Sequence, residues 1–389
     1  MTGATIMATT ESAVSLDHLL VKLKDTRREM RDEYLQAHSK PWIIGFSGGK
    51  DSTILLHLVI ECILSVSPDE RNRRVYIVSN DTLVESPIFQ SFVDGVLQRL
   101  RESFGALQIP VEVVKTSPAL EESFWVNLLG RGYPAPKRMF RWCTDRMKIR
   151  PTTRFIREQV SQNGQVILLL GVRRAESGER AKNIGRREEA NSRLNPHSDL
   201  SGCMIYTPIA ELSTEEVWLL LLSSKPPWGG DYRELLQIYS HANGGECPFV
   251  VSDDETASCG TNSARFGCWT CTVVEKDNSI EALIDAGFEH LIPLADFRNR
   301  IKAVSEKPEY RSKVRRNGQP GLGPLTVEAR QMLLGELLNT QSQTNMPLIS
   351  DQEVRLIREQ WAKDETESVI RELTKLAEKC GGSGDFQKL

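Results

Sequence analysis

A short apolar run, Trp42-Ile43-Ile44-Gly45-Phe46, leads into Ser47-Gly48-Gly49-Lys50-Asp51-Ser52 and then into a mostly apolar stretch from Thr53 to Ser65. The run predicts a buried strand, and the stretch predicts a largely buried helix. A strand joined to a helix by so short a loop is the repeating unit of a parallel sheet. The alternation continues, with strands expected over Arg74–Ser79, Val111–Lys115 and Val166–Gly171 and helices over Ile88–Phe104 and Thr152–Gln162. The expected fold is α/β, a parallel sheet with helices on both faces. In such sheets ligands lie beyond the carboxyl ends of the strands, which gathers Ser47, Asn80-Asp81-Thr82 and Gly171-Val172-Arg173 around one pocket.

The composition of the loop points to its ligand. Small residues let backbone N–H groups approach phosphate oxygens, and a helix N-terminus adds partial positive charge. Lys50 brings a full charge, Ser47 and Ser52 bring hydroxyl donors, and Asp51 is placed to contact magnesium or to orient the loop. The P-loop of kinases and GTPases needs a glycine, four residues and then Gly-Lys-Ser/Thr, and the spacing here is shorter. The loop instead resembles the PP-loop of ATP pyrophosphatases, with its Ser-Gly-Gly-x-Asp-Ser signature. That resemblance implies ATP and Mg²⁺ as ligands, a grip on the β- and γ-phosphates, and cleavage between the α- and β-phosphates to activate an acceptor as its adenylate.

The 389 residues, 40% apolar and 26% charged, suggest two or three folded units and argue against a disordered or fibrous chain. An amphipathic helix is expected from Ser15 to Gln36. Ser213-Thr214-Glu215-Glu216 reads as a capping box that opens a helix over Val217–Leu222. From Lys225-Pro226-Pro227-Trp228 to Thr272 regular periodicity is lost, as in a loop region held by a metal rather than by a large core. Helical patterns resume beyond Ser279 and, past a turn-rich break from Arg315 to Pro324, over Val327–Leu338 and Asp351–Glu378. The expected division is an N-terminal helix in 1–40, the sheet domain in 41–225, a Cys-rich insertion in 226–278 and a helical region in 279–389. No apolar stretch reaches the roughly 20 residues of a membrane-spanning helix, so a cytoplasmic location without a membrane partner is expected.

Eight cysteines without a secretory signal are expected to bind metal, react or pack rather than to form a disulfide framework. Cys268-Trp269-Thr270-Cys271 is a C-x-x-C pair, Cys259 precedes it, and Cys143 lies far upstream in Arg141-Trp142-Cys143-Thr144-Asp145-Arg146. Four thiolates suit zinc or an iron–sulfur cluster, and the pair alone also suits dithiol redox chemistry. Cys62 reads as core packing, Cys203 and Cys247 as buried, and Cys380 as an exposed bystander.

Two segments are basic although the net charge is -3. Arg131–Arg157 sets Lys137, Arg138, Arg141, Arg146, Lys148, Arg150 and Arg154 against Asp145 alone, interleaved with Tyr133, Phe140 and Trp142. Arg298–Arg316 adds Arg300, Lys302, Lys307, Arg311, Lys313 and Arg315. Such mixtures suit a nucleic-acid groove, and equally suit solvated faces combined with contacts to ATP phosphates.

Further segments resemble the phosphoadenylyl-sulfate reductase branch of the PP-loop superfamily. Asn80-Asp81-Thr82-Leu83-Val84-Glu85 is similar to its Asp-Thr-Gly…Glu segment, with the Gly absent. Gly171-Val172-Arg173-Arg174-Ala175-Glu176-Ser177 with Arg180 is similar to its Gly-x-Arg…Glu-Ser…Arg segment, and Pro208 to Trp218 to its Pro-Leu…Trp helix. The resemblance implies that Asp81, Thr82, Gly171, Arg173 and Arg174 join Ser47, Gly48, Gly49, Lys50, Asp51 and Ser52 around the nucleotide. For Asp81 and Glu85 a turn residue and a helix-start charge fit as well.

Arg141 to Lys148, the Cys-Gly…Gly-Cys-x-x-Cys-Thr cluster and Arg315 to Thr326 together resemble the DndC/SspD-type ATP pyrophosphatases of bacterial DNA phosphorothioation systems. That resemblance implies a 4Fe–4S cluster on Cys143, Cys259, Cys268 and Cys271, catalysis by Ser47, Lys50 and Asp51, and sulfur incorporation into the DNA backbone. The implied partners are DNA, the other phosphorothioation subunits, a cysteine desulfurase as sulfur donor, and further copies of the chain. Three other functions stay open. One is a sulfonucleotide reductase, whose C-terminal Glu-Cys-Gly nucleophile is imitated by Glu378-Lys379-Cys380-Gly381. The others are a tRNA thiolase with the same loop and a non-catalytic assembly subunit that uses ATP as a switch.

Overall fold

The computed structural model describes residues 16–174, 193–242 and 267–379. Helix α1 (Leu16–Tyr34) precedes β1 (Trp42–Gly45), and the glycine loop then opens α2 (Lys50–Leu64). β2 (Val75–Asn80), α3 (Pro87–Leu107) and β3 (Val111–Thr116) follow. A helical stretch that starts at Trp142 ends as α4 (Arg150–Asn163), ahead of β4 (Val166–Leu169), β5 (Asn195–Pro196) and β6 (Cys203–Tyr206). Then come α5 (Thr214–Ser223), α6 (Arg233–Ala242), α7 (Asn278–Asp285), α8 (Ile292–Glu306), α9 (Val327–Thr344) and α10 (Asp351–Lys379).

The six strands form one sheet in the order β3-β2-β1-β4-β6-β5, parallel except for the β5–β6 pair. Because strand side chains alternate between faces, each central strand feeds two cores. Trp42, Ile44, Val75, Ile77, Ile167 and Leu169 point into one core with residues of α1, α2, α3, α5 and α6. Ile43, Tyr76, Val78, Val166 and Leu168 point the other way, onto Ile156 of α4. α2 is buried almost all round because the sheet, α1 and α5 surround it. The expected α/β sheet with helices on both faces and helical extensions is thus the observed fold. Among the described residues no helix is long and apolar enough to cross a membrane.

A second core lies outside the sheet. Phe124, Trp125, Leu128, Leu129, Trp142 and Met147 pack there with Trp269 and with α7 to α10. Specific bonds latch this segment to the C-terminal helices: Trp125 Nε1 donates to the Leu348 carbonyl at 2.7 Å, and Trp361 Nε1 donates to the Leu129 carbonyl at 2.7 Å. Buried Arg330 bonds Gly130 O and Asp364.

Among the elements that the sequence did not reveal are β6 and α6. β6 places buried Cys203 beside β4, where Cys203 pairs with Val166. α6 lies inside the region expected to lack periodicity, because its fully buried positions are few, Leu235 and Ala242, and a Pro/Gly break precedes it. Cys62 is core packing, as expected.

Candidate active site

The winding of the chain fixes where a ligand can sit. From β1 the chain moves outward through β2 to β3, then returns to the other side of β1 as β4, so the carboxyl ends of β1 and β4 flank the reversal. β1 delivers the glycine loop and β4 delivers Gly171, Val172 and Arg173. Gly48 takes a φ of +78°, in the left-handed region, and a side chain there would run into Val93 and Phe89. At Gly171 the chain leaving β4 meets the first turn of α2 backbone to backbone, since a Cβ there would lie 2.7 Å from the Asp51 carbonyl oxygen.

α2 starts at Gly49 without a side-chain cap. No cap side chain satisfies the first-turn N–H groups, and with the positive end of the helix dipole this helix start suits an anion. The Lys50 N–H donates to the Tyr239 hydroxyl at 3.3 Å, and the Lys50 ammonium lies 6.0 Å from the centre of the Tyr239 ring. Tyr239 comes from α6, and no sequence motif flags it. Ser52 braces the loop from within: its hydroxyl accepts from Ser47 N at 3.2 Å and donates to Gly49 O at 3.0 Å. The Ser47 hydroxyl lies 3.1 Å from it on an exposed residue.

The Asp51 carboxylate bridges two cations. Oδ2 lies 3.0 Å from Lys50 Nζ and Oδ1 lies 2.6 Å from Arg173 Nε. Arg173 is 1% exposed and also donates to Leu212 O at 3.1 Å and Thr214 Oγ1 at 3.2 Å. Two cations and one anion leave the cluster net positive, which suits a phosphate. Of the two roles read for Asp51, the geometry supplies the orienting one, because both oxygens are engaged. A Mg²⁺ ion would then rest chiefly on the phosphates of the nucleotide.

The remaining expected nucleotide residues are spread out. Arg174 pairs with Glu211 at the surface. Asp81 accepts from Leu83 N at 2.8 Å and pairs with Lys115 at 2.9 Å, so the turn-residue reading describes it. Thr82 is fully buried and donates to Glu85 at 3.0 Å, with Cys268 Sγ 3.3 Å away, so its hydroxyl serves the cysteine side. Ala175, Glu176, Ser177 and Arg180 lie outside the described residues.

The cysteine side is mounted on the end of β2. Ser86 N donates to Gly267 O at 3.2 Å and Trp269 N to Val84 O at 3.0 Å, which pins the C-x-x-C turn beside Glu85. Cys143 arrives from the start of the helical stretch, which widens into a π-helical turn over Asp145–Ile149, a distortion frequent at functional sites. There Lys148 reaches Glu85 at 3.4 Å, and Asn80 bonds the Met147 carbonyl at 2.9 Å. Burial pushes the Cys268 thiol up to about 12, Glu85 adding to the rise and Lys148 opposing it. Burial, then Cys271, raises the Cys143 thiol.

Cys143 and Cys268 each feel the charge of Cys271, and Cys259 and Cys247 lie outside the described residues. Among the described residues no three Cys, His, Asp or Glu side chains stand in metal-holding geometry. Arg298, 2% exposed, clamps the following turn by donating to the carbonyls of Cys271 at 2.9 Å, Val274 at 2.5 Å and Glu275 at 2.9 Å.

Buried in that clamp, Arg298 is open neither to a groove nor to solvent. Arg300 is likewise paired with Glu336 at 3.1 Å, Lys302 with Glu275, and Arg311 bonds backbone carbonyls. In the first basic segment Arg150 pairs with Glu122 and Asp145.

Residues 41–274 match the model of the phosphoadenosine phosphosulfate reductase domain. An uncharacterized protein of Methanocaldococcus jannaschii is 28% identical over 197 residues, which are 50% of this chain and 34% of that protein. The chain therefore spans about a third of the length of that relative. Among solved structures, the phosphoadenylyl-sulfate reductase from Candida auris, in its phosphate complex, is similar at a TM-score of 0.34 and 16% identity over 58% of this chain and 94% of that one. The U34-tRNA thiolase NcsA from Methanococcus maripaludis, solved with its 4Fe–4S cluster, is similar at 0.34 and 15% over 82% of this chain and 89% of that one. Similarity at this level assigns neither substrate nor cofactor to this chain.

Proposed function

Because this chain belongs to the phosphoadenosine phosphosulfate reductase domain family of the PP-loop superfamily, we propose that it converts ATP to AMP and pyrophosphate to activate sulfur incorporation into the DNA backbone. The observation that carries the proposal is the uncapped start of α2 with Lys50, Asp51 and Arg173 joined across the reversal in the sheet. An acceptor oxygen, here of a DNA phosphate, attacks the α-phosphorus; the bond to the β-phosphate oxygen breaks, and pyrophosphate leaves. Loop N–H groups and the Lys50 ammonium, steered by Asp51, stabilise the charge that gathers on the leaving group. Arg173 holds Asp51 in place from the buried side. Adenylation turns an otherwise poor leaving oxygen into AMP, which a sulfur nucleophile then displaces.

A 4Fe–4S cluster on Cys143, Cys259, Cys268 and Cys271 would supply soft iron sites for sulfur beside this pocket. A cysteine desulfurase as sulfur donor and the other phosphorothioation subunits as partners belong to the same proposal. The test is release of pyrophosphate and AMP by the full chain with DNA and partners, compared between wild type, Lys50→Ala and Asp51→Asn. An AMP–DNA adduct supports the proposal, and AMP formed at equal rates with and without DNA overturns the choice of acceptor.

The family match itself favours a second reading, reduction of a sulfonucleotide. That reading requires thioredoxin-dependent sulfite release from phosphoadenylyl sulfate or adenylyl sulfate, and no pyrophosphate from ATP.

A further inference from the structure

The structure brings the exposed remnants of both basic segments to one place. Lys137–Phe140 is a tight two-ended turn, with Lys137 N donating to Phe140 O at 3.2 Å and Phe140 N to Lys137 O at 2.8 Å, so Arg138 and Met139 form its tip. Met139 is 94% exposed and Phe140 44%. The Phe140 ring stacks on Tyr133 with centroids 6.3 Å apart and planes inclined by 14°. Two guanidinium groups lie over the same Tyr133 ring, Arg316 at 4.6 Å and Arg146 at 5.2 Å from its centre.

Arg316 comes from the turn at the tip of a second loop, closed by Arg315 N to Gln319 O at 2.8 Å. It also donates to Arg131 O, while Leu325 N donates to Gly132 O at 2.7 Å, so the two loops are docked on each other. Glu122 lies 3.6 Å from Arg146 and accounts for part of the charge. Lys137, Arg138, Arg141, Lys313 and Arg315 are exposed and have no carboxylate partner among the described residues.

The exposed Phe140 ring is stacked on Tyr133, which two guanidinium groups cover, in a segment whose Lys137, Arg138 and Arg141 have no carboxylate partner among the described residues, and no packing role explains its exposure. A stable fold gains nothing from leaving Met139 and Phe140 in water at the tip of a short turn. A nucleobase face fits such a ring, and the surrounding cations fit the phosphates on either side of it. Stacking of this kind requires a base that is not paired inside a duplex.

We infer that the Tyr133–Phe140 platform with Arg138, Arg141 and Arg316 is a docking surface for single-stranded DNA, one base stacking on Phe140. The inference rests on the proposed DNA substrate and gives that substrate a place on the molecule. Arg146 and Lys148 share the π-helical turn with the segment that carries Cys143, so the platform continues from the cysteine side of the site.

The test is fluorescence anisotropy of the full chain with labelled single-stranded DNA, duplex DNA and single-stranded RNA of one sequence, at several salt concentrations. Phe140→Ala is expected to weaken single-stranded DNA binding about tenfold or more, and Phe140→Trp to retain it. Arg138→Ala and Arg141→Ala are each expected to lower the slope of log affinity against log salt by about 0.7. ATP binding in the absence of DNA is expected to be unchanged in all four variants. Equal binding by Phe140→Ala and wild type, or tighter binding of duplex DNA or RNA, overturns the surface. The proposed reaction fails separately: a chain that binds single-stranded DNA through Phe140 but releases no pyrophosphate keeps the surface and loses the reaction.

Discussion

Arg173 Nε stands 2.6 Å from Asp51 Oδ1, so one buried ion pair ties the end of β4 to the first turn of α2. Removing one partner of such a pair strands the other charge, at a cost of about 3–5 kcal/mol. Arg173→Ala is therefore expected to lower unfolding free energy by about 3 kcal/mol and to release Lys50 from its orientation. Arg173→Lys should recover only part, because an ammonium cannot serve Asp51, Leu212 O and Thr214 together. Urea unfolding, with pyrophosphate release by the folded fraction, checks both.

Gly171 admits no side chain without displacing the backbone of Asp51. Gly171→Ala should destabilise the fold by about 1–3 kcal/mol through overpacking and raise the KM for ATP more than Gly45→Ala, where the nearest atoms stand at ordinary contact distance. Comparing steady-state kinetics of the two variants is the measurement. Equal KM values would mean that the close approach does not set the loop.

Ser213 and Glu216 form a reciprocal cap on α5, with Glu216 N donating to Ser213 Oγ at 3.1 Å and Ser213 N to Glu216 Oε2 at 2.7 Å. Ser213→Ala is expected to cost about 1 kcal/mol of stability. Because Thr214, next in the chain, bonds Arg173, a loss of activity beyond the loss of folded protein would show that the cap also positions the site. Thermal unfolding read beside specific activity separates the two.

Burial alone would raise the Glu61 carboxyl, but His57 and Arg27 more than offset it and hold it below the usual carboxylate range. The folded chain thus binds that proton less readily than the unfolded chain does. The stabilisation is present above the unfolded pKa of about 4.3 and fades as pH falls through the lower folded value. Glu61→Gln should be less stable than wild type at neutral pH, with the gap closing in acid. Denaturant midpoints across pH 3–7 test it, and a gap that widens in acid would contradict the sign.

Anaerobically purified protein is expected to contain iron and acid-labile sulfide and to absorb broadly in the visible. Cys143→Ser, Cys268→Ser and Cys271→Ser should each lose that absorption, and Arg298→Ala should reduce it by loosening the turn after Cys271. Zinc without iron in the wild-type protein would replace the cluster with a structural metal.

Much of the fold was legible because its signals are local. Trp42 to Gly45 alternates between two buried faces, Gly48 needs positive φ in the loop, and the cap at Ser213 is written in four consecutive residues. β6 and α6 were not legible, since the β6 run Cys203-Met204-Ile205-Tyr206 holds a single β-branched residue and α6 has few buried positions. Their stability comes from neighbours distant in the chain.

The sequence by itself determined the parallel α/β sheet, the glycine loop Ser47–Ser52 between a strand and a helix, and the presence of thiols with metal-ligand spacing. Only the tertiary structure decided which charges act together. Arg173, expected at the nucleotide, is the buried partner of Asp51, while Arg298, which begins the second basic segment, is buried on the carbonyls after Cys271. It also decided that the Cys143 segment lies near Cys271, and that Arg316 lies over Tyr133. The physical reason is that a residue type states what a side chain can bond, whereas burial and long-range packing choose the partner it does bond.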